Sequence, residues 1–192
     1  MLPVVIDGGY DLSLEFVRSR CRDGIVILLP VGHSQGRLWI GGWGGGVSGL
    51  DGIDDKSAYN NNTTRRNDTF VIGRSYALLV QVRVQGRTGS ITAILDGTPF
   101  IQWIGRISSL SLSNDWKLPQ PNRPGLAAHE DPVSFQTVKL RAVSGKVSFV
   151  RGENVTAPVS AAMTISGKWA WGSGQVVEFQ DDGTANTTAL YA

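Results

Sequence analysis

Histidine and carboxylates cluster at one place in the chain, His129-Glu130-Asp131. The oxygens of Glu130 and Asp131 are ligands that calcium prefers, and a histidine beside two carboxylates could also move protons. Pro132 follows directly, as is typical at the end of a solvated turn. We interpret the segment as such a turn and keep a calcium site at Glu130 and Asp131 as the alternative. No other cofactor is predicted.

A glycine-rich run, LWIGGWGGGVSGLDGIDD at residues 38–55, contains Gly44-x-Gly46-x-x-Gly49 and so matches the dinucleotide fingerprint by letter. That motif works because its glycines lead into a helix whose N-terminus holds a pyrophosphate. Here Gly52 and an asparagine run follow, and they predict no helix. The flanking apolar residues also argue against a solvated linker. We therefore predict a strand thinned by glycines that turns into an acidic, asparagine-rich loop.

Trp43, inside that run, is the candidate centre of a ligand site. An indole can stack on the C–H face of a sugar while nearby carboxylates and amides bind its hydroxyls. The adjoining loop supplies such groups. The candidate ligand-binding residues are Trp43, Asp51, Asp54, Asp55, Asn60 and Asn62. The alternative is that Trp43 packs in the core, where we also place Trp39 and Trp103.

Strands must position these residues, because the hydrophobic pattern has the two-residue period of β structure almost throughout. Residues 10–16 and 76–84 alternate clearly, residues 25–31 form a continuous apolar run, and Asp96-Gly97 is a strong hairpin signal. The apolar alternation changes face near Gln136-Thr137, which predicts a bulge there. Short strands joined by Gly, Asn and Asp turns predict an all-β fold, an antiparallel two-sheet β-sandwich.

The chain has 192 residues, enough for one good-sized domain. We predict a sandwich over residues 1–148, a linker over 149–164, and the start of a second β unit over 165–192. That unit is too short to close, so we expect the chain to be attached to further domains in a longer protein.

Composition excludes two classes of partner. The net charge of +2 and the scattered arginines argue against nucleic acid. No apolar run approaches the roughly 18 residues that span a bilayer. One cysteine, Cys21, rules out an intrachain disulfide. The compartment stays open, with an extracytoplasmic or cell-surface setting as one interpretation.

Four segments together resemble the concanavalin A-like lectin/glucanase superfamily, in particular bacterial domains of the laminin-G and 3-keto-disaccharide hydrolase kind. The segments are YDLSLEF (10–16), GRSYALLVQVRV (73–84), ITAILDGTPFIQWIG (91–105) and PGLAAHEDPVSFQTVKLRAVSG (124–145). The resemblance covers roughly residues 10–145, and its motifs are structural. It implies a jelly roll whose concave sheet, in many relatives, receives a carbohydrate.

The resemblance does not extend to catalytic residues. Glucanases of this fold share a Glu-x-Asp-x-x-Glu strand, since retaining glycosidases need two carboxyl groups about 5 Å apart. The glutamates of this chain, Glu15, Glu130, Glu153 and Glu178, lie in no such motif. We expect no catalytic residues and a non-catalytic carbohydrate-binding or recognition module of a larger bacterial protein. The alternatives are a glycoside hydrolase of the 3-keto-disaccharide type and a purely structural or protein-interaction sandwich.

Overall fold

The structure, a computed structural model, describes residues 1–129 and 132–150, and beyond them the backbone of four strands. The strands over the first 150 residues are β1 Val4–Asp7, β2 Tyr10–Arg18, β3 Ile25–Val31, β4 Ser34–Gly42, β5 Val47–Asp51, β6 Arg65–Arg66, β7 Ser75–Gln85, β8 Thr88–Leu95, β9 Thr98–Arg106, β10 Gly125–Ala128, β11 Val133–Ala142 and β12 Lys146–Phe149. The later strands are β13 Ala162–Thr164, β14 Gly167–Ala170, β15 Gln175–Phe179 and β16 Ala185–Ala189. One 3-10 helix, Ile107–Ser109, is the only helix among the described residues.

Two large sheets make up the fold. One has five strands in the order β10-β3-β4-β5-β6. The other has nine strands, with β14-β15-β16-β11-β2-β7-β8-β9 in order and β13 also paired to β11. β1 and β12 form a separate pair. Every strand pairing that the structure describes is antiparallel, so the predicted all-β, sandwich-like class is confirmed.

The main core lies between the two sheets. Alternate residues of β2 from Tyr10 to Phe16 supply one side, and Ile25, Ile27 and Leu29 of β3 supply the other. The intervening β3 residues Val26 and Leu28 belong to a second cluster, on the opposite face of the five-stranded sheet. This accounts for the continuous apolar run of β3, because both of its faces are covered.

Two local predictions about irregular geometry are confirmed. The register between β11 and β2 shifts between Phe135 and Thr137, where the change of face predicts a bulge. Asp96 and Gly97 join β8 to β9 with φ of 49° and 77°, the left-handed geometry of a tight hairpin turn.

Pro30 lies in a part of β3 that has one neighbouring strand rather than two. β10 pairs only with residues Ile25 to Leu28 of β3, so Pro30 lies where β4 is the single neighbour. Proline has no backbone N–H to donate, and on the side of β3 away from β4 there is no strand here that would need one.

The strands after residue 160 continue the nine-stranded sheet. β13 pairs with β11 at Lys139 to Arg141, and β16 pairs with β11 at Ser134 and Phe135. The predicted linker over residues 149–164 lies mostly outside the described residues. The division into a sandwich and a second unit stays a prediction.

Candidate functional site

A second apolar cluster covers the outer face of the five-stranded sheet, the face turned away from the main core. It contains Val26, Leu28, Trp39, Ala58, Leu112, Leu118 and Ala127, with Met1 and Trp116 packed against it. Side chains alternate along β4, so that Leu38 and Ile40 face the main core and Trp39 faces the other way. Trp39 is therefore buried in the outer cluster and not between the two sheets. The loop after β5 and the segment after the 3-10 helix therefore lie over the sheet and bury its outer face.

Five rings meet on this face, and we call them the aromatic cluster: Trp39, Trp43, Tyr59, Trp116 and His129. Ring centroids are 5.3 Å apart for Trp39–Trp43, 5.8 Å for Trp43–Tyr59 and 5.7 Å for Trp39–Trp116. His129 lies 5.9 Å from Trp39 and 6.3 Å from Trp116. Offset or tilted rings at such distances attract one another beyond their burial.

Exposure separates Trp43 and Tyr59 from the buried Trp39 ring beside them. Trp43 and Tyr59 are each 44% exposed, whereas Trp39 is 7% exposed. Trp43 therefore does not fill the core between the sheets. Its ring lies over Trp39 and beside Tyr59 with one part open to solvent, and we call Trp43 and Tyr59 the surface pair.

The glycine-rich stretch forms the end of β4 and the turn into β5. The register between these strands shifts between Trp39 and Gly42, so the strand is not regular over the distance that separates the two tryptophans. Trp43 itself has a φ of 49°. At Gly45 a Cβ would lie 2.6 Å from the Cys21 carbonyl oxygen, so this turn packs too closely against Cys21 for a side chain.

Asp23 ties this turn to the rest of the face. Its Oδ1 accepts hydrogen bonds from the backbone N–H groups of Gly24 at 2.7 Å and Trp43 at 3.2 Å. Its Oδ2 lies 2.8 Å from Nδ1 of His129. One carboxylate thus bonds to the backbone of Trp43 and to the imidazole of His129.

Arg66 completes the polar surroundings of the surface pair. Its guanidinium carbon lies 4.0 Å from the Tyr59 ring centroid, and its Nη2 donates to the Tyr59 carbonyl oxygen at 2.7 Å. A cation over one face of a phenol ring fixes the ring's orientation.

A buried ion pair underlies the cluster. Arg37, next along the outer face of β4, lies 4.7 Å from the Trp116 ring centroid and 5.6 Å from that of Trp39, and its Nη2 is bonded to Asp51 Oδ2. Asp51 Oδ1 accepts the Ala58 N–H at 2.8 Å. Both carboxylate oxygens of this candidate ligand-binding residue are therefore engaged within the protein.

The remaining candidates in the loop do not gather around Trp43. Asp54 and Asn62 line a cavity of about 470 Å³ together with Lys56, Arg106 and the Trp103 ring. Asp55 accepts the Ser111 hydroxyl at 2.8 Å. Asn60 is exposed, and its Oδ1 accepts the Ser57 hydroxyl at 3.1 Å.

The calcium alternative falls on residues that the structure does not describe, since Glu130 and Asp131 lie in the gap between 129 and 132. Among the described residues, His, Cys, Asp and Glu side chains form no group of three that could hold a metal ion. The neighbouring His129 is engaged with Asp23 and the aromatic rings.

Sequence reasoning missed Tyr59, Trp116, Asp23 and Arg66. Tyr59 carried a usable signal, because it is an aromatic residue inside a loop otherwise rich in Asp and Asn. Asp23 and Trp116 reach the site from distant parts of the chain, and nothing local in the sequence links them to Trp43.

No protein-family model, curated protein or solved structure matches the chain. In the parts of the chain that the structure covers, no helix is both long and apolar enough to cross a membrane. The class established for this protein is thus an antiparallel, sandwich-like all-β protein.

Proposed function

We propose that this protein is a non-catalytic carbohydrate-binding module of a larger bacterial protein, with the jelly-roll connectivity of the concanavalin A-like superfamily. The segments that carry that resemblance support the proposal, because most of their strands, β11, β2, β7, β8 and β9, are neighbours in one sheet. The sugar would bind at the surface pair.

The observation that carries the proposal is the half-exposed Trp43 ring beside the half-exposed Tyr59 ring. A large ring that is open to solvent but held rigidly from below loses little conformational freedom on binding. The Trp43 ring contacts the buried Trp39 ring, and the backbone N–H of Trp43 donates to Asp23, which fixes the turn that carries the ring. Sugar C–H faces pack on such rings, and Arg66, which lies over one face of the Tyr59 ring, offers hydrogen-bond donors beside the pair.

The exposed area of Trp43 gives the size of its contribution to the free energy of binding. With about 200–250 Å² for a whole tryptophan, the exposed fraction of Trp43 amounts to about 100 Å². Covering that area at about 25 cal/mol per Å² contributes about 2.5 kcal/mol. Since each 1.4 kcal/mol is a factor of ten, a Trp43→Ala variant should bind a glycan that covers this whole area roughly 60-fold more weakly.

A glycan array followed by calorimetry tests the proposal. The wild-type protein should bind at least one oligosaccharide, Trp43→Ala and Tyr59→Ala should weaken it, and Ile72→Ala should not. Ile72 is a fair control because it is also a large exposed apolar residue, 62% exposed, and has no ring contact with the surface pair. If the protein binds no glycan on the array, or if Trp43→Ala binds as tightly as the wild-type protein, the proposal is overturned and a structural or protein-interaction role is favoured.

A further inference from the structure

A cavity of about 390 Å³ lies beside the turn between β3 and β4, under the segment that follows the 3-10 helix. Its lining includes His33, Ser34 and Gln35 on the β3–β4 side and Lys117, Leu118 and Pro121 on the other. The volume falls within the roughly 300–1,000 Å³ of small-molecule sites. None of the surface-pair residues lines it, so it is separate from the site proposed above.

Gln35 is the buried polar group of this cavity. It is 6% exposed, and its Oε1 accepts the backbone N–H of Leu118 at 3.2 Å. A backbone N–H can donate only to the oxygen, so this bond fixes which end of the amide is which. Its Nε2 is buried and has no hydrogen-bond partner among the described residues. A buried donor without a partner is unfavourable, and a ligand acceptor would satisfy it.

The charges of the lining favour an anionic acceptor. Lys117 and His33 are exposed at the cavity, and among the residues that the structure describes no carboxylate lines it. Asp55 bonds to Ser111 of the wall but is not itself part of the lining. The cavity therefore offers an ammonium group, an imidazole and an amide N–H₂, all of which can donate to a carboxylate.

The rest of the wall indicates that the anion is carried on an organic body. Leu110, Leu112, Leu118 and Pro121 line the same cavity, and Leu112 and Leu118 belong to the outer cluster. A bare inorganic anion would fill little of this space and would leave the apolar wall uncovered.

We propose that this cavity is a second ligand site, which binds a small organic carboxylate such as a sugar acid. Lys117 attracts the carboxylate, and the Gln35 amide N–H₂ donates a hydrogen bond to it. The leucine and proline side chains pack against the sugar ring. Gln35 Nε2 is buried, so a ligand reaches it only when the 117–121 segment, which is exposed except at Leu118, shifts outward. The site goes beyond the proposed carbohydrate-binding surface, and neither depends on the other.

Titration calorimetry with glucuronate, glucose and inorganic phosphate tests this assignment. Because a hydrogen bond to a charged group contributes about 1.5–3 kcal/mol, glucuronate should bind at least about tenfold more tightly than glucose. It should also bind more tightly than phosphate. Equal binding of glucose would overturn the carboxylate assignment, and equal binding of phosphate would overturn the role of the apolar wall.

Variants then locate the site. Gln35→Glu keeps an oxygen for the Leu118 N–H but replaces the donor with a negative group, so a folded Gln35→Glu protein should lose glucuronate binding. Lys117→Gln changes an exposed residue and should weaken glucuronate binding at least about threefold. This variant tests the site even if Gln35→Glu fails to fold. Ile72→Ala changes an exposed residue that does not line this cavity, and it should leave glucuronate affinity unchanged. Binding that survives Lys117→Gln undiminished would overturn the proposal for this cavity without bearing on the surface pair. Glucuronate binding that is lost with Trp43→Ala would also overturn it, and would instead locate the sugar acid at the surface pair.

Discussion

Replacing Asp51 with Asn should strongly destabilise the fold, because it leaves the Arg37 charge buried and unpaired. Arg37 is among the buried residues, and Asp51 Oδ2 bonds to its Nη2. Arg37 Nε and Nη1 are buried with no hydrogen-bond partner among the described residues. An Asn side chain preserves the shape and an oxygen for the Ala58 N–H, so the substitution removes little besides the charge.

The size of the effect follows from the burial of the pair. Removing one partner of a buried ion pair costs about 3–5 kcal/mol. With a urea m-value of about 2 kcal/mol per M, the unfolding midpoint should fall by about 1.5–2.5 M with the m-value unchanged. Thermal unfolding should move down by about 10 °C.

A matched control is available in the pair between Arg74 and Asp96, whose side chains are 54% and 33% exposed. Asp96→Asn should cost no more than about 1 kcal/mol, since solvent screens an exposed pair. The double variant Arg37→Met with Asp51→Asn should recover much of the loss, because no buried charge remains. A loss below about 1 kcal/mol for Asp51→Asn, or no recovery in the double variant, would refute the view that this pair lies in a dry, apolar setting.

Two further predictions concern the main core and the glycine-rich turn. Burial raises the pKa of Tyr10 well above its usual value, and its hydroxyl donates to the Pro30 carbonyl oxygen at 3.2 Å. The folded state therefore keeps a proton that the unfolded state loses, and stability should fall above pH about 10 by up to about 1.4 kcal/mol per pH unit. Urea unfolding from pH 9 to 11 should show a shallower fall for Tyr10→Phe, and an identical slope would contradict the prediction. In the turn, Gly45→Ala should cost about 2–3 kcal/mol, because Gly45 has a φ of 91° and its added Cβ would press on the Cys21 carbonyl. Gly46→Ala, with nothing within 4 Å, should stay within about 0.5 kcal/mol in the same assay; equal losses would count against this turn geometry.

The strands and their irregularities could be predicted because their causes are local. A change of face near Gln136 requires an extra residue, and the register does shift between Phe135 and Thr137. Asp96-Gly97 specifies its hairpin through the left-handed geometry that these residues tolerate. Such patterns are visible within a few residues of sequence.

The candidate site could be predicted only in part, because it depends on which distant segments cover the outer face of the five-stranded sheet. For Trp43 the sequence leaves both the core and a surface ligand site open, because its ring partner Tyr59 and the Asp23 carboxylate that accepts its backbone N–H are 16 and 20 residues away. Asp51 has the residue type of a sugar-binding group, yet its carboxylate is bonded to Arg37 and Ala58. Residue type and loop position do not reveal which polar groups are already engaged in hydrogen bonds within the protein.

The most direct test of the central claim is an NMR titration of the tryptophan indole N–H signals with the best oligosaccharide from the array. Trp43 and Trp103 provide the contrast, since Trp43 is 44% exposed in the surface pair and Trp103 belongs to the main core between the sheets. Saturating glycan should shift the Trp43 indole signal and leave that of Trp103 in place. A Trp43 signal that does not move while the glycan binds would contradict the assignment of the carbohydrate site to the surface pair.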